Sequence, residues 1–166
     1  FRDRKFLDTI LNCLERYELE SKDLTLELTE SVLLEADSTV LGTFREIHDN
    51  GIALSLDDLG TGYSSLSHLQ KLPITEIKLD RSFVKNMPQD DVSKRLSGTI
   101  ANIGNALNMV VLAEGIENMD QYSLLKEQQY NVGQGFFLSK PLNPEAFEEW
   151  FQNWNPSEMN PQDAFP

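Results

Sequence analysis

The sequence predicts an α/β protein built on a parallel sheet. Apolar residues at helical spacing alternate along the chain with short apolar runs of strand length. Strands that are separated by helices usually pair in parallel. A further pattern supports this fold class: polar residues follow the apolar part of successive strands, as at the carboxyl edge of sheets that carry sites there.

The elements follow one another in a regular order. Five apolar runs predict strands at 24–28, 52–56, 74–79, 110–113 and 131–138. Helical spacing or capping residues predict helices near 3–18, over 40–47, over 66–69 before Pro73, over 96–107, from an Asp120 cap to about 128, and after the Asn143-Pro144 pair. Residues 156–166 contain three prolines and predict a loose tail, which leaves 1–155 as the domain.

The composition suits a globular domain and excludes several functions. The 166 residues are 40% hydrophobic and 25% charged, and the net charge is −13. Without a basic patch, binding of a nucleic-acid polymer is not expected. No membrane segment or signal peptide is visible in this sequence. One cysteine allows no intrachain disulfide, which agrees with a cytoplasmic location, while an anchor through upstream segments of a longer parent stays open. The single cysteine, Cys13, is predicted to be a buried structural thiol.

Ionisable side chains recur at the ends of the predicted strands. Glu27, Asp57 and Lys78 occupy the last positions on the less apolar face of the first three strands. Glu114 ends the fourth strand, and Gln134 lies in the fifth. Because the carboxyl ends of parallel strands meet at one edge, we expect these side chains to converge. The alternative is a set of separate surface charges in loops.

Converging carboxylates predict a cation site. Glu27, Asp57, Asp58 and Glu114 carry four negative charges, of which Lys78 offsets one. Such a group must take up protons or bind a cation. Oxygen ligands without histidine or cysteine favour Mg²⁺ or Mn²⁺. Adjacent strand residues point in different directions, so the aspartate pair can serve two ions, or one ion and a water, and two ions suit phosphodiester hydrolysis.

Five segments resemble, in order, the signature motifs of the EAL-domain family. They are ELTES at 27–31, DDLGTGYSSL at 57–66, IKLDRSFV at 77–84, LAEGIE at 112–117 and QGFFLSKPL at 134–142. The family consists of cyclic-di-GMP phosphodiesterases with a modified (β/α)8 TIM-like barrel. The resemblance therefore implies such a barrel, with its last five βα units in this chain. It also implies hydrolysis of cyclic-di-GMP to linear pGpG with two Mg²⁺ or Mn²⁺ ions.

The resemblance assigns metal ligands to the carboxylates. Glu27 matches a metal-binding glutamate, and Asp57 and Asp58 match the paired metal-binding aspartates. Asp57 is expected to bridge the two ions.

The resemblance also assigns catalytic roles. Lys78 matches the lysine that contacts the attacking water or the phosphate, and Gln134 matches the glutamine that orients water. Glu114 matches a glutamate that serves as metal ligand or general base.

Further matches concern residues around the ligands. Glu30 matches a glutamate that steadies the loop after the aspartates, for which a solvated loop charge is the alternative. Gly60, Thr61 and Gly62 match that mobile loop, which couples metal, substrate and dimer contacts. Glu117 matches an acidic residue just outside the ligand set.

The chain departs from the family pattern in three places. Leu59 stands where the family usually has phenylalanine. The Glu-Ala-Leu motif, with an arginine near it that helps to hold the substrate, is absent, and so is the strand with a metal-binding asparagine; both are expected before Phe1. We therefore expect this chain to be the C-terminal portion of the domain and to be inactive alone. In the parent protein, a homodimer and upstream sensory or GGDEF domains are expected.

Two alternatives remain open. A non-catalytic module that senses cyclic-di-GMP would keep the fold but lose cleavage. An enolase-type barrel would use a lysine to abstract a proton beside carboxylates that hold Mg²⁺, although the paired aspartates and the glycine loop disfavour it.

Overall fold

The computed structural model describes residues 5–34, 36–59, 69–70 and 72–154. In this part of the chain the helices are α1 (Phe6–Arg16), α2 (Glu30–Leu34), α3 (Ser38–Asp49), α4 (Arg81–Asn86), α5 (Asp91–Ala106), α6 (Met119–Glu127) and α7 (Pro144–Asn153). A short 3-10 helix spans Ser21–Asp23. The strands are β1 (Thr25–Thr29), β2 (Ala53–Leu59), β3 (Glu76–Leu79), β4 (Val110–Ala113) and β5 (Val132–Gly133).

The strands form one parallel sheet in the order β1-β2-β3-β4-β5. Every neighbouring pair is parallel, which confirms the predicted fold class. Within the described residues β1 and β5 are the two edges, and β1 pairs with β2 alone.

The core lies between one face of the sheet and the helices. Leu54, Leu56 and Ile77 are fully buried on this outer face. Helix α5 approaches closely because it carries Gly104, where a Cβ atom would overlap Val111 and lie 2.9 Å from Cδ1 of Ile77. Close packing of the helices on this face leaves the opposite, inner face of the sheet to polar side chains.

The inner face follows from the strand register. Glu27 on β1 pairs with Ser55 on β2, and Ser55 pairs with Glu76 on β3. Lys78 pairs with Leu112 on β4. On β1, β2 and β3 the polar residues therefore form adjacent rows that run toward the carboxyl edge, whereas the neighbour of Lys78 on β4 is apolar.

A β-bulge interrupts β2 where the two aspartates lie. Leu56 pairs with Ile77 and Leu59 pairs with Leu79, so Asp57 and Asp58 together oppose the single residue Lys78. Bulges bend a strand and are frequent beside active sites. The rule that adjacent residues face opposite ways, on which the sequence prediction for this pair relied, holds only for regular pairing.

Most predicted helices are confirmed, and the capping differs in one. Asn143 caps α7 as predicted, since its Oδ1 accepts a hydrogen bond from the Ala146 amide at 2.8 Å. The predicted Asp120 cap is wrong, because Asn118 caps α6 and accepts from the Gln121 amide at 3.0 Å. Gln121 returns a bond by accepting from the Asn118 amide at 3.2 Å, and this reciprocal pair fixes the earlier start.

Two other predictions are corrected. The last strand lies within the predicted segment 131–138 but is limited to Val132–Gly133, because the Leu138 amide donates to the Gly135 carbonyl at 3.0 Å and turns the chain. Cys13 is exposed rather than buried, since it lies at the margin of the apolar stripe of α1 that packs on the core. None of the described helices is long and apolar enough to cross a membrane.

Some predictions fall outside the described residues. They are the Gly60, Thr61 and Gly62 loop, most of the short helix at 66–69, and the tail at 156–166.

Candidate active site

The site is centred on the ammonium group of Lys78. Its Nζ lies 2.7 Å from Oε1 of Glu27 and 2.6 Å from Oε1 of Glu114, with Oδ1 of Asp57 at 3.8 Å. The Lys78 side chain is only 5% exposed. The structure therefore brings together four of the residues that the sequence singled out.

The sheet explains why these residues meet. Glu27, Asp57 and Lys78 lie on the adjacent strands β1, β2 and β3, and Glu114 directly follows β4. The backbone of Glu114 continues the ladder, because its amide donates to the Leu79 carbonyl at 3.2 Å. Residues separated by up to 87 positions along the sequence thus share one edge of the sheet.

The charges of Lys78 and the three carboxylates around it do not cancel. Burial by itself would lower the pKa of Lys78, but its hydrogen bonds with Glu114 and Glu27 and the charges of Glu114 and Asp57 raise that pKa well above its usual range. Lys78 therefore carries a positive charge in this form, which does not suit the proton-abstracting lysine of an enolase-type barrel. Three carboxylates against one ammonium leave two negative charges.

The donor set fits a hard divalent cation, but it is not arranged around one. Within the described ranges, no three carboxylate, imidazole or thiol groups form a cluster that could hold a metal ion. Glu27 and Glu114 both contact Lys78 instead. All available donors are oxygens, the residual charge is negative, and the buried Ser55 hydroxyl beside Glu27 has no hydrogen-bond partner among the described residues. These features suit Mg²⁺ or Mn²⁺ if Lys78 releases a carboxylate.

Gln134 and Glu117 lie beside this group rather than in it. Together with Glu114, Arg81 and Phe136 they line a cleft of about 150 Å³. The backbone of Gln134 is fixed by two bonds, from its amide to the Ala113 carbonyl at 2.8 Å and from the Ile116 amide to its carbonyl at 3.1 Å. Glu114 is thus shared between the Lys78 group and the cleft.

Glu30 is buried at the first position of α2 and is only 5% exposed. The alternative that it is a solvated loop charge is therefore wrong. The loop that it is expected to steady lies outside the described residues, and so does the side chain of Asp58, although the Asp58 backbone is placed in the bulge.

Two residues of the site were missed in the sequence. Ser55 is completely buried two positions before Asp57, and the even spacing along the strand was the signal that could have identified it. Arg81 lines the cleft although it follows the last residue of β3 by two positions, and its place within the segment IKLDRSFV was its only signal.

Curated proteins with similar sequences are much longer than this chain. Cyclic di-GMP phosphodiesterase PdeR of Escherichia coli K12 is 37% identical over 152 residues, which are 92% of this chain and 23% of PdeR. Oxygen sensor protein DosP of the same organism is 36% identical over 153 residues, which are 92% of this chain and 19% of DosP. The chain thus spans about a fifth of the length of these relatives.

Solved structures share the fold. The EAL domain of Mycobacterium smegmatis DcpA aligns with a TM-score of 0.85 at 28% identity, over 92% of this chain and 69% of that one. The complex of the PaMucR phosphodiesterase with c-di-GMP aligns with a TM-score of 0.82 at 35% identity, over 87% of this chain and 58% of that one. These neighbours confirm the predicted barrel type, of which this chain matches a part.

A family model described as the EAL domain matches residues 1–141, which is most of the chain. The match includes the four residues that meet at Lys78 and the residues of the adjoining cleft. On this match, on the sequence relatives and on the shared fold, the chain belongs to the EAL-domain family.

Proposed function

We propose that this chain is part of a cyclic-di-GMP phosphodiesterase domain, which hydrolyses one phosphodiester bond to give linear pGpG. One observation carries the proposal: Lys78 meets Glu27, Asp57 and Glu114 at the carboxyl edge of a sheet of EAL type. The relative PdeR is named a cyclic di-GMP phosphodiesterase, and the PaMucR phosphodiesterase was solved as a complex with c-di-GMP.

The metal part of the proposal concerns the carboxylates. Glu27, Asp57, Asp58 and Glu114 would supply oxygen ligands to two Mg²⁺ or Mn²⁺ ions. When bound, such ions lower the pKa of a water molecule and offset the charge on the phosphate. The residual charge of the group, two negative units, supports a demand for cations.

The protein groups would then position the reactants. A water oxygen forms a bond to phosphorus while the bond from phosphorus to one sugar oxygen breaks, and that oxygen takes a proton. Lys78, which is positively charged here, would donate to the phosphate or to the water. Gln134, which lines the cleft, would orient the attacking water. Glu114 would either accept a proton from that water or bind a metal ion. Glu117, which also lines the cleft, would act just outside the ligand set.

Other parts of the proposal lie outside the site itself. Glu30 would steady the loop that contains Gly60, Thr61 and Gly62. A homodimer, a cytoplasmic location and upstream sensory or GGDEF domains complete it. The burial of Glu30 and the small share of its relatives that this chain spans are consistent with these parts.

A second function is favoured by one observation. No three metal ligands form a cluster within the described ranges. A module that binds cyclic-di-GMP without cleaving it would need no such cluster.

One assay separates these functions. The full-length protein that contains this chain is incubated with cyclic-di-GMP and Mn²⁺, with and without EDTA, and pGpG is followed by chromatography. We expect metal-dependent cleavage by that protein and none by residues 1–166 alone. Binding without cleavage by the full-length protein identifies the sensor, and neither binding nor cleavage overturns both functions.

A further inference from the structure

Ser55 is a buried polar residue that the proposed reaction does not yet use. It is completely buried, and its Oγ has no hydrogen-bond partner among the described residues. Leaving a buried hydroxyl without a partner destabilises a protein. The stability cost of this buried hydroxyl suggests that Ser55 has a role at the candidate active site.

The position of Ser55 narrows its possible partners. It stands directly opposite Glu27 in the pairing of β1 with β2, and directly opposite Glu76 in the pairing of β2 with β3. Neighbouring strands lie about 4.8 Å apart, whereas two residues along one strand are separated by about 6.6 Å. The backbone of Glu27 therefore lies closer to the backbone of Ser55 than the backbone of Asp57 does.

Glu27 is not in its metal-binding arrangement in this structure. Its Oε1 accepts a hydrogen bond from Lys78 at 2.7 Å, so the ammonium occupies the place where a cation would draw the same oxygen. A divalent cation at these carboxylates repels the Lys78 ammonium, so its binding favours an arrangement in which Glu27 turns from Lys78 toward the ion. Carboxylates that bind metal ions are usually held by a further hydrogen bond from the protein.

We propose that Ser55 is a positioning residue for the metal site, and that its hydroxyl donates to the carboxylate of Glu27 once that carboxylate has turned from Lys78 to a divalent cation. The inference rests on the proposed function, because it needs Glu27 to be a ligand. It explains why the hydroxyl is buried in register with a carboxylate and yet has no hydrogen-bond partner among the described residues.

The test uses Ser55→Ala in the full-length protein and two measurements without substrate. Mn²⁺ affinity is measured by calorimetry, and the Tm is measured in EDTA. We expect the Mn²⁺ dissociation constant to rise about 10–100-fold. The metal-free Tm should stay unchanged or rise, because the substitution removes an unsatisfied hydroxyl.

Ser97→Ala is the matched control. Ser97 lies on α5 and is as completely buried as Ser55. Unlike the Ser55 hydroxyl, its hydroxyl has partners: it lies 2.6 Å from Oε1 of Gln128 and 3.0 Å from the Tyr130 hydroxyl. Its substitution should lower the metal-free Tm by about 2–4 °C and leave Mn²⁺ affinity unchanged.

The outcomes separate this inference from the proposed function. Asp57→Asn is measured in parallel, because loss of a ligand must weaken Mn²⁺ binding if the site is a metal site. If Asp57→Asn weakens binding and Ser55→Ala does not, the Ser55 inference is overturned and the metal site stands. A Ser55→Ala protein with lower metal-free Tm and normal affinity shows a structural role toward Glu76 or a buried water. A wild-type protein that binds no Mn²⁺ overturns the proposed function and this inference with it.

Discussion

Lys78 and Glu114 form an ion pair with an N–O distance of 2.6 Å at the carboxyl edge of the sheet. The pair joins β3 to the residue after β4, and the same ammonium reaches Glu27 on β1. Lys78 thus supplies the positive charge that holds these carboxylates together. An ion that binds these carboxylates must compete with it.

Lys78→Met should make the metal-free protein less stable and more dependent on Mn²⁺. Removing one partner of a buried ion pair typically costs about 3–5 kcal/mol. The partners are more exposed than Lys78, 25% for Asp57 and Glu114 and 57% for Glu27, so we expect a loss of about 1–3 kcal/mol. Denaturant unfolding in EDTA and in Mn²⁺ measures both effects. Equal unfolding free energies for variant and wild type in EDTA would contradict the role of Lys78.

Asp57→Asn should abolish Mn²⁺-dependent hydrolysis in the full-length protein and leave the fold intact. The side chain lies 3.8 Å from the Lys78 ammonium on the inner side of the bulge, and it is expected to be a ligand of both ions. We expect turnover to fall more than about 100-fold, because even groups that only support ligands cost 10–100-fold. Asp49→Asn, on the exposed end of α3, is the control for a generic charge change. Retention of most activity by Asp57→Asn would show that the metal assignment is wrong.

Glu30→Ala should lower turnover and speed hydrogen exchange over residues 59–66. Glu30 is buried at the start of α2, and the resemblance assigns it to steadying the segment that contains Gly60 and Gly62. We expect about a tenfold loss or more, in line with the loss of a group that supports ligands. The measurements are the pGpG assay and exchange followed by mass spectrometry. If both stay at wild-type values, Glu30 does not act on the loop.

Asp80→Ala should destabilise the protein by about 0.5–2 kcal/mol. Asp80 belongs to the segment IKLDRSFV, and its Oδ1 caps α4 by accepting from the Ser82 amide at 2.9 Å. Asp80→Asn keeps a capping oxygen and is the control, since it should retain most of the stability. Thermal unfolding of the three proteins at neutral pH decides this prediction.

The same cap predicts a dependence on acid. Hydrogen bonds from Ser82 lower the pKa of the Asp80 carboxyl, and they outweigh burial, which raises it. A carboxyl with a lowered pKa stabilises the fold above its unfolded pKa of about 3.9, and this contribution is lost as the pH falls through the lower folded value. The stability of Asp80→Asn should therefore fall less steeply than that of wild type below pH 4.

Tyr130→Phe should make the stability of the protein less sensitive to pH above pH 10. Burial raises the pKa of Tyr130 to about 12, against the hydrogen bond with Ser97, which lowers it. An unfolded tyrosine loses its proton near pH 10, so the native state holds the proton over a window of about pH 10 to 12 and its stability falls with rising pH there. The variant should be less stable at pH 7, because it loses the bond from the Tyr130 hydroxyl to the Ser97 carbonyl at 3.1 Å. Its stability should decline less than that of wild type above pH 10, and parallel curves would contradict this account.

The sequence by itself determined the fold class and most elements. Helical spacing and short apolar runs are local properties, so α3, α5, β4 and the Asn143 cap could be predicted from neighbouring residues. The parallel order followed from the alternation of helices and strands, and the positions of Glu27, Asp57 and Lys78 followed from the period of two along strands. The EAL motifs added the family, which the family model confirms, and the metal ligands remain a prediction.

Only the tertiary structure decided the contacts within the site. The bulge at Asp57-Asp58 depends on the pairing of β2 with β3, and burial of Glu30 and Ser55 depends on how α2 and the adjacent strands pack. No local pattern encodes these features, because each is created by residues that are distant in sequence. The contacts of Lys78 with three carboxylates have the same origin. These carboxylates belong to β1, to β2 and to the residue after β4, and they meet only when the strands align in register.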